Sequence, residues 1–215
     1  MKYYDKDNKR LVYVDSRADE SYWDQHWDAN NFKKSIQRNF DPFVTGHTKK
    51  HVKKGSRILE GGCGIGQNVY LLSKQGYDVV GIDYAKKTVN KTNTYRPELD
   101  IQFGDVRELP FEDNSFDAYW SFGVIEHFYN GYDVIMKEMG RVLKKDGVLL
   151  MTVPTMSFLR QYKAKNSLYP EWKEDSEKIK HFYQFALDRN TIINKFNNNG
   201  FQLISNYSIS GFKGL

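Results

Sequence analysis

Apolar positions along the chain change period from one segment to the next. Near the start, Tyr3-Tyr4, a polar Asp5-Lys6-Asp7-Asn8 stretch and Leu11-Val12-Tyr13-Val14 read as a short hairpin. Residues 19–54 read as helical, with Tyr22, Trp23, His26 and Trp27 sharing one face. Apolar runs of strand length then recur near 57–60, 78–83, 100–104, 116–121, 148–153 and 201–209. Helical patterns fill the gaps. Asn68 to Gln75 is one, with Gly76 as its stop. Asp133 to Lys144 carries Ile135, Met139, Val142 and Leu143 on one face. Asp188 can cap a helix holding Ile192, Ile193 and Phe196, stopped by Asn199-Gly200. Strands alternating with helices predict an α/β fold, a doubly wound, mostly parallel sheet with helices on both faces. Ligands of such sheets bind at the carboxyl ends of the strands, near the switch in strand order.

The chemistry-bearing residues fall at those ends. Ile58-Leu59-Glu60-Gly61-Gly62-Cys63-Gly64-Ile65-Gly66-Gln67-Asn68 is an apolar strand end, an acid, a glycine turn and a helix start. Gly62, Gly64 and Gly66 let backbone approach a ligand and adopt positive φ. The dinucleotide fingerprint G-x-G-x-x-G would need a glycine where Gln67 stands. Glu60 also disfavours a bound pyrophosphate, because two like charges would meet there. A positive or zwitterionic ligand fits better, and S-adenosylmethionine, with its sulfonium and amino-acid tail, is one. Asp83 closes the next apolar run, about 20 residues further on, where an acid can accept from both ribose hydroxyls.

Over roughly Gly55 to Ile209 the chain resembles the class I S-adenosylmethionine-dependent methyltransferases. Five landmarks carry the resemblance: Glu60-x-Gly62-x-Gly64-x-Gly66, Gly81-Ile82-Asp83, Phe103-Gly104-Asp105-Val106, Phe116 to His127 with its Glu-His ending, and Arg141 to Pro154. The resemblance implies S-adenosylmethionine as cofactor and S-adenosylhomocysteine as product. It implies that Glu60 orients the loop and draws the cofactor's ammonium. Asp105 accepts from the adenine amino group, supported by the Val106 amide, and the backbone of Ser121 and Phe122 holds the methionine tail. Cys63, Asn68 and Tyr84 complete the implied cofactor set with the loop glycines. Cys63, between two glycines, reads as a small filler rather than a nucleophile. Glu126 and His127 follow the fourth strand, where the methyl acceptor approaches. A neutral imidazole there can remove a proton; the competing reading is a histidine that caps the strand end. For the aromatic helix near Trp23 and Trp27, a cover over the cofactor and plain core packing both stand. No metal is called for.

Composition narrows the function further. The chain has 215 residues, 40% of them hydrophobic and 27% charged, ordinary for one α/β domain. No apolar run approaches the ~20 residues of a membrane helix, and the start, Met1-Lys2-Tyr3-Tyr4-Asp5, lacks a signal-peptide core. The single cysteine, Cys63, rules out an internal disulfide and points to the cytoplasm. The net charge of +5 is spread in pairs such as Lys33-Lys34 and Lys49-Lys50, without the aromatic-interleaved stripe of a nucleic-acid binder. There is no Pro-Pro for an amino-methylating DNA enzyme, and no thiolate outside the loop for cytosine methylation. A small-molecule, lipid-linked or sugar acceptor remains. Two alternatives stay open, a catalytically silent cofactor-binding module and a nicotinamide-dependent oxidoreductase.

The expected organisation is an N-terminal hairpin and covering helices over 1–54, then a cofactor-binding domain over 55–215. A substrate-side insertion occupies 155–185, with Phe158, Tyr162, Tyr169, Trp172, Phe182 and Tyr183. The family sheet has seven strands and only six are counted here. Ser210 to Leu215 are too few for a hairpin return and a last antiparallel strand. An exposed edge is therefore expected near Phe201 to Ile209. The chain would then be part of a longer protein, or a partner chain, a second copy or the N-terminal hairpin would pair there.

Overall fold

The computed structural model describes residues 1–29 and 41–209. The parts of the sequence-based helical reading over 30–40, and the expectation for Ser210 to Leu215, lie outside the described residues. Two compact units are present. One comprises Ala18–Ile125 and Tyr132–Thr152; the other comprises Met1–Arg17, Glu126–Gly131 and the chain from Val153 onward.

The first unit contains a five-stranded parallel sheet. Its strands are Arg57–Gly61 (β3), Asp78–Asp83 (β4), Asp100–Phe103 (β5), Phe116–Phe122 (β6) and Leu143–Thr152 (β7). Their order is β5-β4-β3-β6-β7, so strand order reverses between β3 and β6. Ile58, Leu59, Ile82, Ala118, Tyr119 and Trp120 are fully buried, as parallel strands covered on both faces require. The helices of this unit are Glu20–Ala29 (α1), Pro42–His51 (α2), Gln67–Ser73 (α3), Lys86–Tyr95 (α4) and Asp133–Val142 (α5). Asp41 caps α2 by accepting from the amides of Phe43 and Val44. Helix α5 buries Ile135, Met136, Met139 and Val142, and it ends two residues before the expected Lys144 because Leu143 opens β7.

The second unit is built on the hairpin read from the sequence. Strands Lys2–Asp5 (β1) and Arg10–Val14 (β2) pair antiparallel with Tyr4 opposite Leu11. The Asp5 carboxylate fixes the turn by accepting from the Asn8 amide, the Asn8 side chain and Arg10. Strand Phe182–Ala186 (β8) adds antiparallel to β2, completing a three-stranded sheet. Helices Phe158–Lys165 (α6), Ser176–Lys180 (α7) and Arg189–Asn197 (α8) belong to the same unit. Asp188 caps α8 by accepting from the Thr191 amide, and Gly200 takes φ +89° just beyond its end.

Two expectations are corrected. Residues 201–209 form no strand; Leu203, Ile204, Tyr207 and Ile209 lie half exposed. The alternation is real, but among the described residues no strand pairs with this segment in either sheet, and an isolated strand has no stability. The sheet edge falls instead on β7, which pairs only with β6 among the described residues. The hairpin pairs with β8 and not near Phe201. Among the described residues no helix is long and apolar enough to cross a membrane.

Leu11 is fully buried and packs with Met156 and Ala186. Leu11→Ala should destabilise the antiparallel sheet by about 2–5 kcal/mol. Hydrogen exchange of the β2 and β8 amides checks this, and unchanged protection would refute the packing role.

Candidate cofactor site

The three carboxyl ends nearest the order reversal carry Glu60, Asp83 and Ser121, all nearly inaccessible. The glycine loop leaves β3 as expected, with Gly62, Gly64 and Gly66 at φ +74°, +54° and +72°. An L-side chain adopts that region only at about 1–2 kcal/mol per residue. Space is short as well. A Cβ on Gly62 would lie 2.5 Å from Val124 Cγ2, and one on Gly66 would lie 2.2 Å from Ile101 Cδ1.

Hydrogen bonds hold the loop from beneath. The amides of Gly62 and Cys63 both donate to the Ile82 carbonyl, at 2.8 and 3.1 Å. The Gly64 amide donates to Asp83 Oδ2 at 2.7 Å, and the Ala85 amide donates to Oδ1 at 2.9 Å. Each oxygen keeps a lone pair for a further donor. Asn68 Nδ2 donates to Glu60 Oε1 at 2.7 Å, while Glu60 Oε2 is buried without a partner among the described residues. Ser121 Oγ is in the same condition. Unpartnered buried acceptors cost free energy unless a ligand donor satisfies them.

Electrostatics follow from this burial. Burial pushes the Glu60 pKa up to about 8; the Asn68 bond pulls the other way and the Asp83 charge adds to the rise. Burial also raises Asp83, against the pull of the Ala85 and Gly64 amides. Cys63 is raised well above the usual thiol range by burial, then by Asp83 and Glu60, so it is no thiolate. Its Sγ would lie 2.7 Å from a Cβ on Gly81, the position of a filler against the neighbouring strand.

Other expected residues are placed less uniformly. Asp105 is part exposed and clamped by Arg107, which donates from its backbone amide at 2.8 Å and from Nε and Nη2 at 3.0 and 2.5 Å. Burial raises Asp105, but the Arg107 bonds outweigh it and hold the carboxyl below its ordinary range. Val106 is buried behind it. Phe122 meets Phe43 edge-on, with ring centroids 6.4 Å apart. Tyr84 donates its hydroxyl to the Ala18 carbonyl, and Asp24 on α1 accepts from Thr88 Oγ1 and N at the start of α4. Trp27 of α1 also reaches the loop: a Cβ on Gly64 would lie 2.6 Å from its Cζ2. Helix α1 therefore packs and touches the loop at once.

Glu126 and His127 lie in a single 3-10 turn, Ile125–His127, and belong with the second unit. His127 Nδ1 is 2.8 Å from the Tyr183 carbonyl, a contact that needs Nδ1–H as donor and leaves the neutral lone pair on Nε2. Burial lowers the His127 pKa; the Tyr183 bond opposes it. Burial raises Glu126 to about 8. Sequence reasoning missed Arg107, Val124 and Gly61. A Cβ on Gly61 would lie 2.0 Å from the buried Tyr119 hydroxyl, a packing demand that motif spacing does not signal.

The parallel sheet and the loop at its order reversal define the Rossmann-like fold of methyltransferases, and the comparisons agree. Residues 59–151 match the family model described as a methyltransferase domain. Over those residues the chain is similar to a methyltransferase domain. A probable S-adenosylmethionine-dependent methyltransferase of Mycolicibacterium smegmatis is 36% identical over 104 residues, 48% of this chain and 40% of that protein. A demethylmenaquinone methyltransferase of Staphylococcus aureus is 37% identical over 124 residues, 55% and 51% of the two chains. The chain thus spans about half the length of these relatives or less. A protein of Pyrococcus horikoshii has TM-score 0.61 at 22% identity, over 86% of this chain and 93% of that one. An S-adenosylmethionine-dependent methyltransferase of Thermotoga maritima has TM-score 0.56 at 19% identity, over 85% and 81%.

The raised Glu60 pKa sets a sign for stability. Its folded value of about 8 exceeds the ordinary 4.5, so its contribution is full below 4.5 and is lost as pH rises through 8. Glu60→Gln should therefore leave the cofactor-free protein more stable than the parent above about pH 8, and little changed near pH 4. Thermal unfolding across that range checks it; a destabilised variant at high pH would show that Glu60 is not buried as an uncompensated acid.

Proposed function

We propose that the chain transfers the methyl group of S-adenosylmethionine to a small-molecule, lipid-linked or sugar acceptor. The observation that carries this reading is the buried Glu60 carboxylate with one oxygen unpartnered, beside a loop that leaves no room for side chains. That is a socket for a cation approached closely by backbone, which suits the cofactor's ammonium and excludes a pyrophosphate. Glu60 and the loop would hold the amino-acid tail with Ser121, and Asp83 the ribose. Asp105 would take the adenine amino group with Val106, once its oxygens are shared with Arg107. When bound, the sulfonium supplies an already activated methyl, so positioning donor and acceptor in line accounts for much of the rate.

His127 is the proposed base and Glu126 its neighbour. Held by Tyr183 and neutral because of burial, the imidazole can accept a proton at Nε2. Glu126 is largely protonated at neutral pH because of its raised pKa. The Staphylococcus aureus relative is named for demethylmenaquinone, which favours the lipid type among the three acceptor classes. The buried lone thiol suits a reducing cytoplasm.

Asp83→Ala should weaken S-adenosylhomocysteine binding about tenfold to a hundredfold in calorimetry; unchanged affinity would remove Asp83 from the site. Affinity should also rise with pH toward about 8, as Glu60 becomes the anion that the ammonium requires. Labelled-methyl transfer into cell extract, separated into lipid, glycan, small-molecule, protein and nucleic-acid pools, tests the activity itself. Binding without transfer to any pool would mean a silent module.

His127→Ala should lower turnover by about 10²-fold or more while leaving cofactor affinity in place. Because burial lowers the His127 pKa, the acid limb of the parent's rate profile should lie below 6.5. Normal turnover with weakened cofactor binding would overturn the base role.

A further inference from the structure

Helix α6 is turned inside out. Its inner side is polar or small: Ala164 packs on the core of Leu11, Met156 and Ala186, and the half-buried Arg160 donates to the Thr155 carbonyl. Its apolar side chains face solvent instead. Phe158 is 93% exposed, Tyr162 61% and Leu159 37%, with Leu168 just beyond the helix at 61%. No residue of α6 is fully buried.

The exposed residues form one stripe. Phe158 and Tyr162 are four apart and Leu159 adjoins them, so they share a face. Lysines border it on both sides: Lys163 stands four residues after Leu159, and Lys165 three after Tyr162. From Phe158 to Leu168 the sequence holds Arg160, Lys163 and Lys165 and no acid. Exposed aromatics between cations are the composition of an interfacial helix. The rings enter the boundary between headgroups and acyl chains, and flexible lysine stems carry their charge to the phosphates. An exposed contiguous apolar patch marks an interaction surface, and the exclusively positive border selects an anionic one.

We propose that α6, with Leu168, docks this protein on an anionic phospholipid surface. The docking is peripheral. It stands apart from the cofactor reading, since none of these residues belongs to the proposed cofactor or proton-transfer set. It does favour an acceptor that resides in the bilayer among the acceptor classes proposed above.

The test uses the full chain and sedimentation with vesicles of phosphatidylcholine, with and without roughly one-third phosphatidylglycerol. The parent should pellet with the anionic vesicles, less so in high salt, and stay in solution with the neutral ones. Phe158→Asp should reduce the bound fraction roughly tenfold or more, because a phenyl ring leaves the interface and a like charge meets the phosphates. Lys163→Glu with Lys165→Glu should do the same. Phe158 is almost wholly exposed, so its variant should fold, and calorimetry with S-adenosylhomocysteine provides the control: affinity should not move. A parent that ignores anionic vesicles overturns the proposal. So does a Phe158→Asp variant that still binds them. A self-association by sedimentation velocity that Phe158→Asp abolishes, without vesicle binding, would assign the stripe to a second copy instead. Failure of cofactor binding with vesicle binding intact would count against the methyltransfer reading alone.

Discussion

One hydrogen bond, from the Gly64 amide to Asp83 Oδ2, ties the first two strands of the parallel sheet together at the point where a ligand would meet backbone. Its effect depends on its neighbours. Ile82, one residue earlier, accepts from Gly62 and Cys63, so the strand end of β4 supports three consecutive residues of the loop that leaves β3. The loop can lie this low only because its glycines lack side chains; Val124, Trp27 and Ile101 occupy the space that Cβ atoms would need. Strand order, loop conformation and neighbouring side chains thus converge on one constraint, a backbone brought close enough to touch a ligand.

The same constraint produces the electrostatics. Holding the loop from below places Glu60 and Asp83 in a dry site where burial raises both pKa values and the Asp83 charge adds to the rise of Glu60. Two buried acids in one dry site are costly in the free protein. A cationic ligand removes that cost. Affinity for such a ligand and instability without it therefore share a physical origin, as expected where a functional site departs from the rules that stabilise a core.

Much of this was legible in the sequence because it rests on local rules. Strand-length apolar runs separated by helical periods gave the five parallel strands, and Asp188 and Gly200 marked the ends of α8 through capping and positive φ. The hairpin was readable from Asp5 and Asn8, whose side chains close the turn. What the sequence could not show is whatever depends on a partner far along the chain. Phe201 to Ile209 has the alternation of a strand but joins neither sheet among the described residues, so periodicity misled there. That β8 would join β2, more than a hundred residues away, is likewise invisible to any local pattern. Arg107 escaped notice because an arginine two residues after an aspartate is commonplace until the geometry closes its Nε and Nη2 on the carboxylate.

Helix α6 shows the opposite failure. Its apolar spacing is that of an ordinary packed helix, and a sequence reader would turn Phe158, Leu159 and Tyr162 toward the core. The fold turns them outward because the inner contacts are already specified: Ser157 caps the first turn, Arg160 and Gln161 are spent on the carbonyls of Thr155 and Met156, and only Ala164 is small enough for the remaining approach to the hairpin core. Turning the helix would take Ala164 off that core and break the bonds from Arg160 and Gln161, worth about 1 kcal/mol each. The outward stripe is therefore a consequence of local hydrogen bonding that apolar periodicity alone does not overrule, and the lysines on its borders give that exposed surface a single sign of charge.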